Sequence, residues 1–277
     1  MRIGKQEFDC KNSTYIMGIL NVTPDSFSDG GSYQGRDAAL FRVGEMIAEG
    51  AHIIDIGGES TRPGYTQISE LEEIERIMPV VEAIKQNYEI PVSVDTYKSK
   101  VAGAAIAAGA DLINDIWGLK YDEEMAGVSM AEVIAKGEVA CCLMHNRKEA
   151  VYRDFIKDVQ ADLAESVRIA LSAGISKDKI MVDPGVGFAK NYEQNLQIIK
   201  QIGSFKESGY PVLLGTSRKS VIGLTLDLPV DERLEGTLVT TVMAVLGGCS
   251  FVRVHDIKAN ARAIRMAECI RDVRLST

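Results

Sequence analysis

Eight short runs of aliphatic and β-branched residues, each followed by a segment with helical spacing, limit this chain more than any other feature it has. The runs occupy residues 16–20, 53–56, 92–94, 112–113, 140–144, 180–182, 212–214 and 251–254. Strand and helix in alternation is the pattern of repeated βαβ units, which build a parallel sheet. Eight such units in 277 residues fit a closed (β/α)8 TIM barrel filling 1–277 as one domain. A doubly wound sheet uses fewer strands and a glycine-rich crevice motif. The nearest approach to that motif, Gly185, Gly187 and then Lys190, lacks its third glycine and follows the sixth run; no G-x-x-x-x-G-K-[ST] is present.

The intervening segments carry helical signals. Leu40, Val43 and Ile47 share a face, with Gly50 placed to close that helix through a positive φ. Ser69 and Glu72 spell a capping box ahead of a stripe of Leu71, Ile74, Ile77, Val81 and Ile84, with Pro79 as a kink point. Val159, Leu163, Val167 and Leu171 recur every fourth residue, and Ile264, Ala267 and Ile270 line the final helix. The uncharged stretch 237–246 reads either as barrel wall or as a subunit contact.

Charge excludes several partners. Thirty-one Lys and Arg against 39 Asp and Glu leave a net −8, so the overall field repels nucleic acid and anionic membranes, and an anionic ligand needs a local cluster of cations. The longest uncharged stretch, 236–252, is too short to span a bilayer, and the N-terminal residues do not form a signal peptide, so a cytoplasmic location is expected. Cys10, Cys141, Cys142, Cys249 and Cys269 have no metal-ligand spacing and read as small apolar residues in a reducing compartment; Cys141 and Cys142, adjacent on one strand, point to opposite faces.

In a parallel barrel the C-terminal strand ends converge on one mouth. Here those ends offer Asn21, Asp55, Asp95, Asn114 with Asp115, His145 with Asn146, Asp183, Thr216 to Ser220, and His255 with Asp256. Single Asp residues at such places are often caps or turn formers, a reading that fits Asp55, Asp115 and Asp256 best. Asp95, Asn114 and Asp183 offer the acceptors and donors that a flat, nitrogen-rich heterocycle requires. Arg62, Arg218, Lys219, Arg253 and His255 form a cationic group suited to phosphate or diphosphate. Two polar loops, 21–33 and 57–65, follow the first two strands and are placed to act as lids.

MGILNVTPDSFSDGG from Met17, DIGGESTRPG from Asp55, SVDTYK from Ser93, INDIWG from Ile113, DPGVGFAK from Asp183, GTSRKS from Gly215 and FVRVHD from Phe251 together closely resemble the dihydropteroate synthase family, in the family's order and over nearly the whole chain. The first and last motifs are highly specific; a bare IND or DPG is not. The resemblance implies a TIM barrel that condenses 6-hydroxymethyl-7,8-dihydropterin diphosphate with 4-aminobenzoate and releases pyrophosphate. It implies pterin contacts from Asp95, Asn114, Asp183 and Lys219, with Met144, Phe188 and Gly215 lining that pocket. Thr61, Arg253 and His255 match diphosphate contacts, and Asn21 matches a ligand of Mg²⁺. Phe27, Arg62, Pro63 and Ser220 match the region that receives 4-aminobenzoate and the sulfonamides that mimic it. Lys219, Asp95, Arg253 and His255 are the expected catalytic residues, Asp29 is a candidate for organising a closed state, and a homodimer through the last helices is expected.

The stretch before the first strand is short, which implies a reduced N-terminal hairpin at the barrel base, and NRKEAVYRDF after His145 falls where the resembled family varies freely. Three other readings remain open at this level. A pterin-binding methyltransferase shares the Asp, Asn, Asp pocket but has no use for SRKS and RVHD. A Schiff-base aldolase would employ Lys219 as nucleophile. A non-catalytic pterin-binding scaffold would be expected to have lost part of the cation group or the first loop.

Overall fold

The computed structural model describes residues 1–22, 33–59, 67–121 and 128–273. A two-stranded antiparallel hairpin, β1 (Arg2–Ile3) and β2 (Gln6–Glu7), precedes eight parallel strands: β3 (Tyr15–Asn21), β4 (Ile53–Gly57), β5 (Val92–Asp95), β6 (Leu112–Asp115), β7 (Ala140–Met144), β8 (Ile180–Asp183), β9 (Leu213–Leu214) and β10 (Phe251–Val254). Strands β3 to β8 pair in sequence order, β10 pairs with both β3 and β9, and a parallel bridge from Val182 to Val212 closes the cylinder between β8 and β9. All eight expected strands are present in a (β/α)8 barrel.

Around it run α1 (Tyr33–Glu49), α2 (Glu70–Asn87), α3 (Ser99–Ala107), α4 (Met130–Gly137), α5 (Phe155–Ser172), α6 (Tyr192–Lys200), α7 (Ser220–Leu226), α8 (Leu234–Gly247) and α9 (Ile257–Asp272). Gly50 has φ +107° and follows α1, with the Ala51 N–H bonded to Met46 O, as a C-terminal cap requires. At Ser69 only half of the expected capping box forms. Ser69 Oγ accepts from Glu72 N at 3.2 Å, whereas the Glu72 carboxylate pairs with Arg76 one turn on. Helix α2 runs unbroken through Pro79.

Three residues assigned to buried stripes face outward: Leu71, Leu171 and Ile270 are 65%, 43% and 58% exposed. Each stands about 120° around its helix from Ile77, Val159 or Ile264, because a residue advances about 100° and a sequence stripe therefore drifts off the core over two or three turns. Helix α8 bears out the barrel-wall reading of the 237–246 stretch on one of its faces. Thr237, Thr241, Ala244 and Val245 are buried against the barrel while Val239, Met243 and Leu246 are exposed.

Two apolar layers share the strands. Alternate side chains face the helices and form the large outer core, to which Cys141 belongs. The others point inside, where Met17, Ile53, Leu112, Ala140, Cys142, Met181, Leu213 and Phe251 fill the base. The adjacent cysteines do lie on opposite faces, and Cys249 is buried as well, although Cys10 is half-buried and Cys269 exposed. The N-terminal hairpin is reduced, as expected, to two-residue strands. Short as it is, the segment delivers Ile3 and Phe8 into the base layer, with Phe8 edge-on to Phe251 at 5.5 Å. Two-residue strands suffice because the plug is anchored by packing rather than by its own ladder.

Candidate active site

Strand parity carries polar side chains into the mouth of the same cylinder. Asn21 is in register with Gly57, Gly57 with Asp95, and Asp95 with Asn114, so one row of inward positions crosses four strands. Met144 stands in register with Asp183 on the far side. Asp95, Asn114, Met144 and Asp183 are all buried, and the β9 and β10 ends add Gly215, Lys219, Arg253 and His255.

Arg253 lies inside the barrel between two carboxylates, Nε 2.5 Å from Asp55 Oδ2 and Nη2 2.6 Å from Asp95 Oδ2, while Ser93 Oγ donates to Asp55 Oδ1 at 2.5 Å. Asp55 is therefore neither cap nor turn former: fully buried, it fixes Arg253. The remaining oxygen of Asp95, Oδ1, is buried with no partner among the described residues. Burial raises the Asp95 pKa above the ordinary carboxylate value, against the pull of Arg253. A buried acceptor left open at a barrel mouth is an invitation to a donor.

Opposite, Asp183 Oδ1 accepts from Gly185 N at 2.7 Å, and burial raises its pKa against the opposing charge of Lys219. Lys219 precedes α7, donates to Val186 O, and sits 4.8 Å from the Phe188 ring centroid. Burial lowers its pKa to about 8, with Asp183 resisting. Gly215 faces the space on which Asp183 and Lys219 converge, since a Cβ there would stand 3.6 Å from Asp183 Oδ2 and 3.9 Å from Lys219 Nζ. Met144, Tyr97 and Ile116 form a small apolar cluster, with Phe188 and Trp117 packed on it. Convergent polar groups beside an aromatic and aliphatic wall suit a flat, polar-edged ring.

His255 is oriented by Ser217, whose Oγ lies 2.9 Å from Nδ1 and accepts from the His255 backbone N–H at 3.2 Å. Arg218 is turned to Asp256, with Nε and Nη2 at 3.1 and 2.6 Å from its two oxygens. The expected cation cluster is thus partly self-neutralised: Arg253 and Arg218 already hold carboxylates, and Asp256 pairs with a guanidinium. Asp115 does behave as a turn former, accepting from Trp117 N and Leu119 N at 2.8 and 2.7 Å. Ser220 opens α7 beside Lys219 and is exposed. Phe27, Asp29, Thr61, Arg62 and Pro63 lie outside the described residues.

Asn21 ends β3 at the rim, its Oδ1 3.8 Å from where a Cβ on Gly57 would be. Among the described residues, no group of three or more His, Cys, Asp or Glu is arranged to hold a metal. One neutral amide oxygen fits a hard cation whose other ligands come from phosphate and water, the usual manner of Mg²⁺.

A separate cleft of about 300 Å³, lined by Leu163, Val167, Phe205 and Tyr210 among others, lies on the outer wall between α5 and residues 202–208, away from the strand ends. Among the described residues, no helix is long and apolar enough to cross a membrane.

Sequence reasoning missed Asp55 and Ser93 as supports of Arg253, and Tyr97 and Ile116 as pocket wall. The signal was available in part: Asp55 and Ser93 stand two residues from the inward-facing Gly57 and Asp95, so they share their parity.

Residues 17–255 match the family model described as pterin binding enzyme. A dihydropteroate synthase of Clostridium beijerinckii is 56% identical over 271 residues, covering 98% of this chain and 99% of the relative. That of Bacillus subtilis is 53% identical, covering 94% and 90%. A crystal structure of dihydropteroate synthase from Clostridium difficile in the presence of pteroic acid superposes with a TM-score of 0.90 at 46% identity, covering 95% of this chain and 99% of that one. One from Yersinia pestis in a sulfonamide drug complex gives 0.90 at 38% identity, covering 99% of each chain.

Proposed function

The chain belongs to the pterin-binding enzyme family, among its dihydropteroate synthases, and from that premise we propose how the barrel mouth performs the reaction. The enzyme is a transferase of folate biosynthesis that joins 6-hydroxymethyl-7,8-dihydropterin diphosphate to 4-aminobenzoate, giving 7,8-dihydropteroate and pyrophosphate. The observation that carries the site assignment is the unpartnered buried Oδ1 of Asp95, set in register with Asn114 and facing the Asp183 and Lys219 pair. An amino-pyrimidine edge supplies the N–H donors these carboxylates lack, and Asn114 supplies both polarities.

Met144 and Phe188 flank the ring, and Lys219 donates to a pterin heteroatom near the reacting carbon. The diphosphate extends toward the rim, to Thr61, Arg253 and His255. Mg²⁺ carried by the diphosphate would be held through Asn21 and would supply charge neutralisation to the leaving group. As the C–O bond breaks, positive charge develops on the methylene conjugated to the pterin, and the Asp95 and Asp183 carboxylates favour that charge in a low-dielectric site. The amine of 4-aminobenzoate, received by Phe27, Arg62, Pro63 and Ser220, then attacks the carbocation-like carbon.

Helices α8 and α9 pack side by side and leave Val239, Met243, Leu246, Met266 and Ile270 exposed, which supports a homodimer through this face. A cytoplasmic location accords with five cysteines of which none forms a disulfide. The test is pyrophosphate release from the pterin diphosphate with and without 4-aminobenzoate. Release accelerated by the amine and ceasing on chelation supports the reading; hydrolysis as fast without the amine as with it, or no release, contradicts it.

A further inference from the structure

His145 stood among the strand-end polar residues, yet the reaction gives it no task. It is fully buried behind the loop that follows β8. Its Nε2 lies 3.0 Å from Asp162 Oδ2, an oxygen also bound by Arg147 Nε at 2.6 Å. Its Nδ1 lies 2.9 Å from Lys190 Nζ. Lys190 Nζ also donates to Gly185 O and to Phe188 O, each at 2.9 Å, so in its charged form all three ammonium protons are directed at fixed acceptors, while burial lowers its pKa to about 7.

The loop so gripped is unusual backbone. Gly185, Gly187 and Ala189 have φ of +71°, +88° and +46°. At Gly185 any Cβ would collide with His145 O at 2.0 Å, so the loop rides directly on the β7 end. Alternating positive φ values turn successive carbonyls to opposite sides. Those of Gly185 and Phe188 go to Lys190, and that of Val186 goes to Lys219. Asn195 Oδ1 takes the Gly187 N–H at 2.6 Å, and Tyr152 OH donates to Ala189 O at 2.7 Å. Two lysines therefore grip one loop from opposite sides, and only one of them belongs to the pocket.

We propose that Lys190 is a positioning residue for the pterin half of the site: seated on neutral His145, it sets the shape of the 185–189 loop and thereby places Phe188 and Lys219 against the ring. The proposal rests on the pterin reading of the pocket. A neutral imidazole is required, because an imidazolium would offer Lys190 no acceptor. Burial and the charge of Lys190 hold the His145 pKa well below the ordinary imidazole value, against the pull of Asp162. Ser220, the one described residue assigned to the 4-aminobenzoate side, makes none of these contacts, so the 4-aminobenzoate KM should be insensitive to the arrangement.

The experiment uses the full-length enzyme with Lys190→Met and Lys190→Arg. Calorimetric affinity for 6-hydroxymethylpterin is read beside the KM of each substrate and the melting temperature. Lys190→Met is expected to weaken pterin affinity at least tenfold and to raise the pterin diphosphate KM in parallel, with the 4-aminobenzoate KM within twofold of wild type. Lys190→Arg, which restores charge and donors, should recover most of the loss. Should Lys190→Met not fold, Lys190→Gln, which keeps two donors, is read in the same titration with a smaller loss expected on the pterin side alone. Wild-type pterin affinity in the folded variant, or equal loss for both substrates, overturns the proposal. A wild-type enzyme that does not bind the pterin overturns the site reading beneath it.

Discussion

The two ends of the barrel are built by the same strands two residues apart, and they could hardly differ more. At the base the inward residues are Ile53, Leu112, Met181, Leu213 and Phe251; at the mouth the same strands present Asp55, Asn114, Asp183, Gly215 and Arg253. The base is dry, apolar and plugged by Ile3 and Phe8. The mouth buries carboxylates, one of them with an oxygen that has no partner among the described residues, and holds a half-buried lysine below its usual pKa. Burying such groups costs stability unless they are paired, so the mouth depends on the base to keep the cylinder closed. One end holds the fold and the other is the proposed seat of the chemistry.

That division can be broken or sharpened by substitution. Phe251→Ala at the base should cost about 3–5 kcal/mol of folding stability, read by denaturant unfolding, while both KM values of the folded fraction stay near wild type. A large KM change would mean that the base shapes the site. Lys219→Ala at the mouth should do the reverse. It is expected to lower turnover about 100-fold, a loss of about 2.7 kcal/mol in transition-state stabilisation, with little fall in melting temperature. Wild-type turnover would remove Lys219 from the reaction. Asp183→Asn replaces an acceptor pair by an ill-matched amide and should weaken pterin binding by about 1–3 kcal/mol, read by calorimetry.

The smallest effect expected is on the pH profile. With its pKa lowered to about 8, Lys219 is charged below that pH and neutral above it, so kcat/KM for the pterin diphosphate should fall as pH rises through about 8. Lys219→Arg, which stays protonated, should lack this limb between pH 7 and 10, whatever its absolute rate. The limb persisting unchanged in Lys219→Arg would assign it to another group.

Much of this contrast was legible before any coordinates. Alternation of strand and helix is a long-range pattern, and eight repeats of it leave few folds. The strand-end positions could be lined up because a parallel barrel puts every C-terminal end on one side. What stayed hidden depended on register and on tertiary contact. Asp55 looks like any turn-forming aspartate until pairing with β5 and the approach of Arg253 place it inside the cylinder. The hairpin plug rests on two-residue strands, too short for any periodicity. Lys190 and His145 are 45 residues apart and meet only because the loop after β8 folds back onto the end of β7.

Asp95, Asn114 and Asp183 are proposed to grip the edge of a pterin at the mouth. A crystal structure of this protein with 6-hydroxymethylpterin tests it most directly. The account predicts a ring beside Met144 and Phe188, with its amino-pyrimidine edge within hydrogen-bonding distance of all three residues and Lys219 Nζ on the same ring. Density elsewhere, or a ring in the mouth with Asp95 Oδ1 still without a donor, would contradict it.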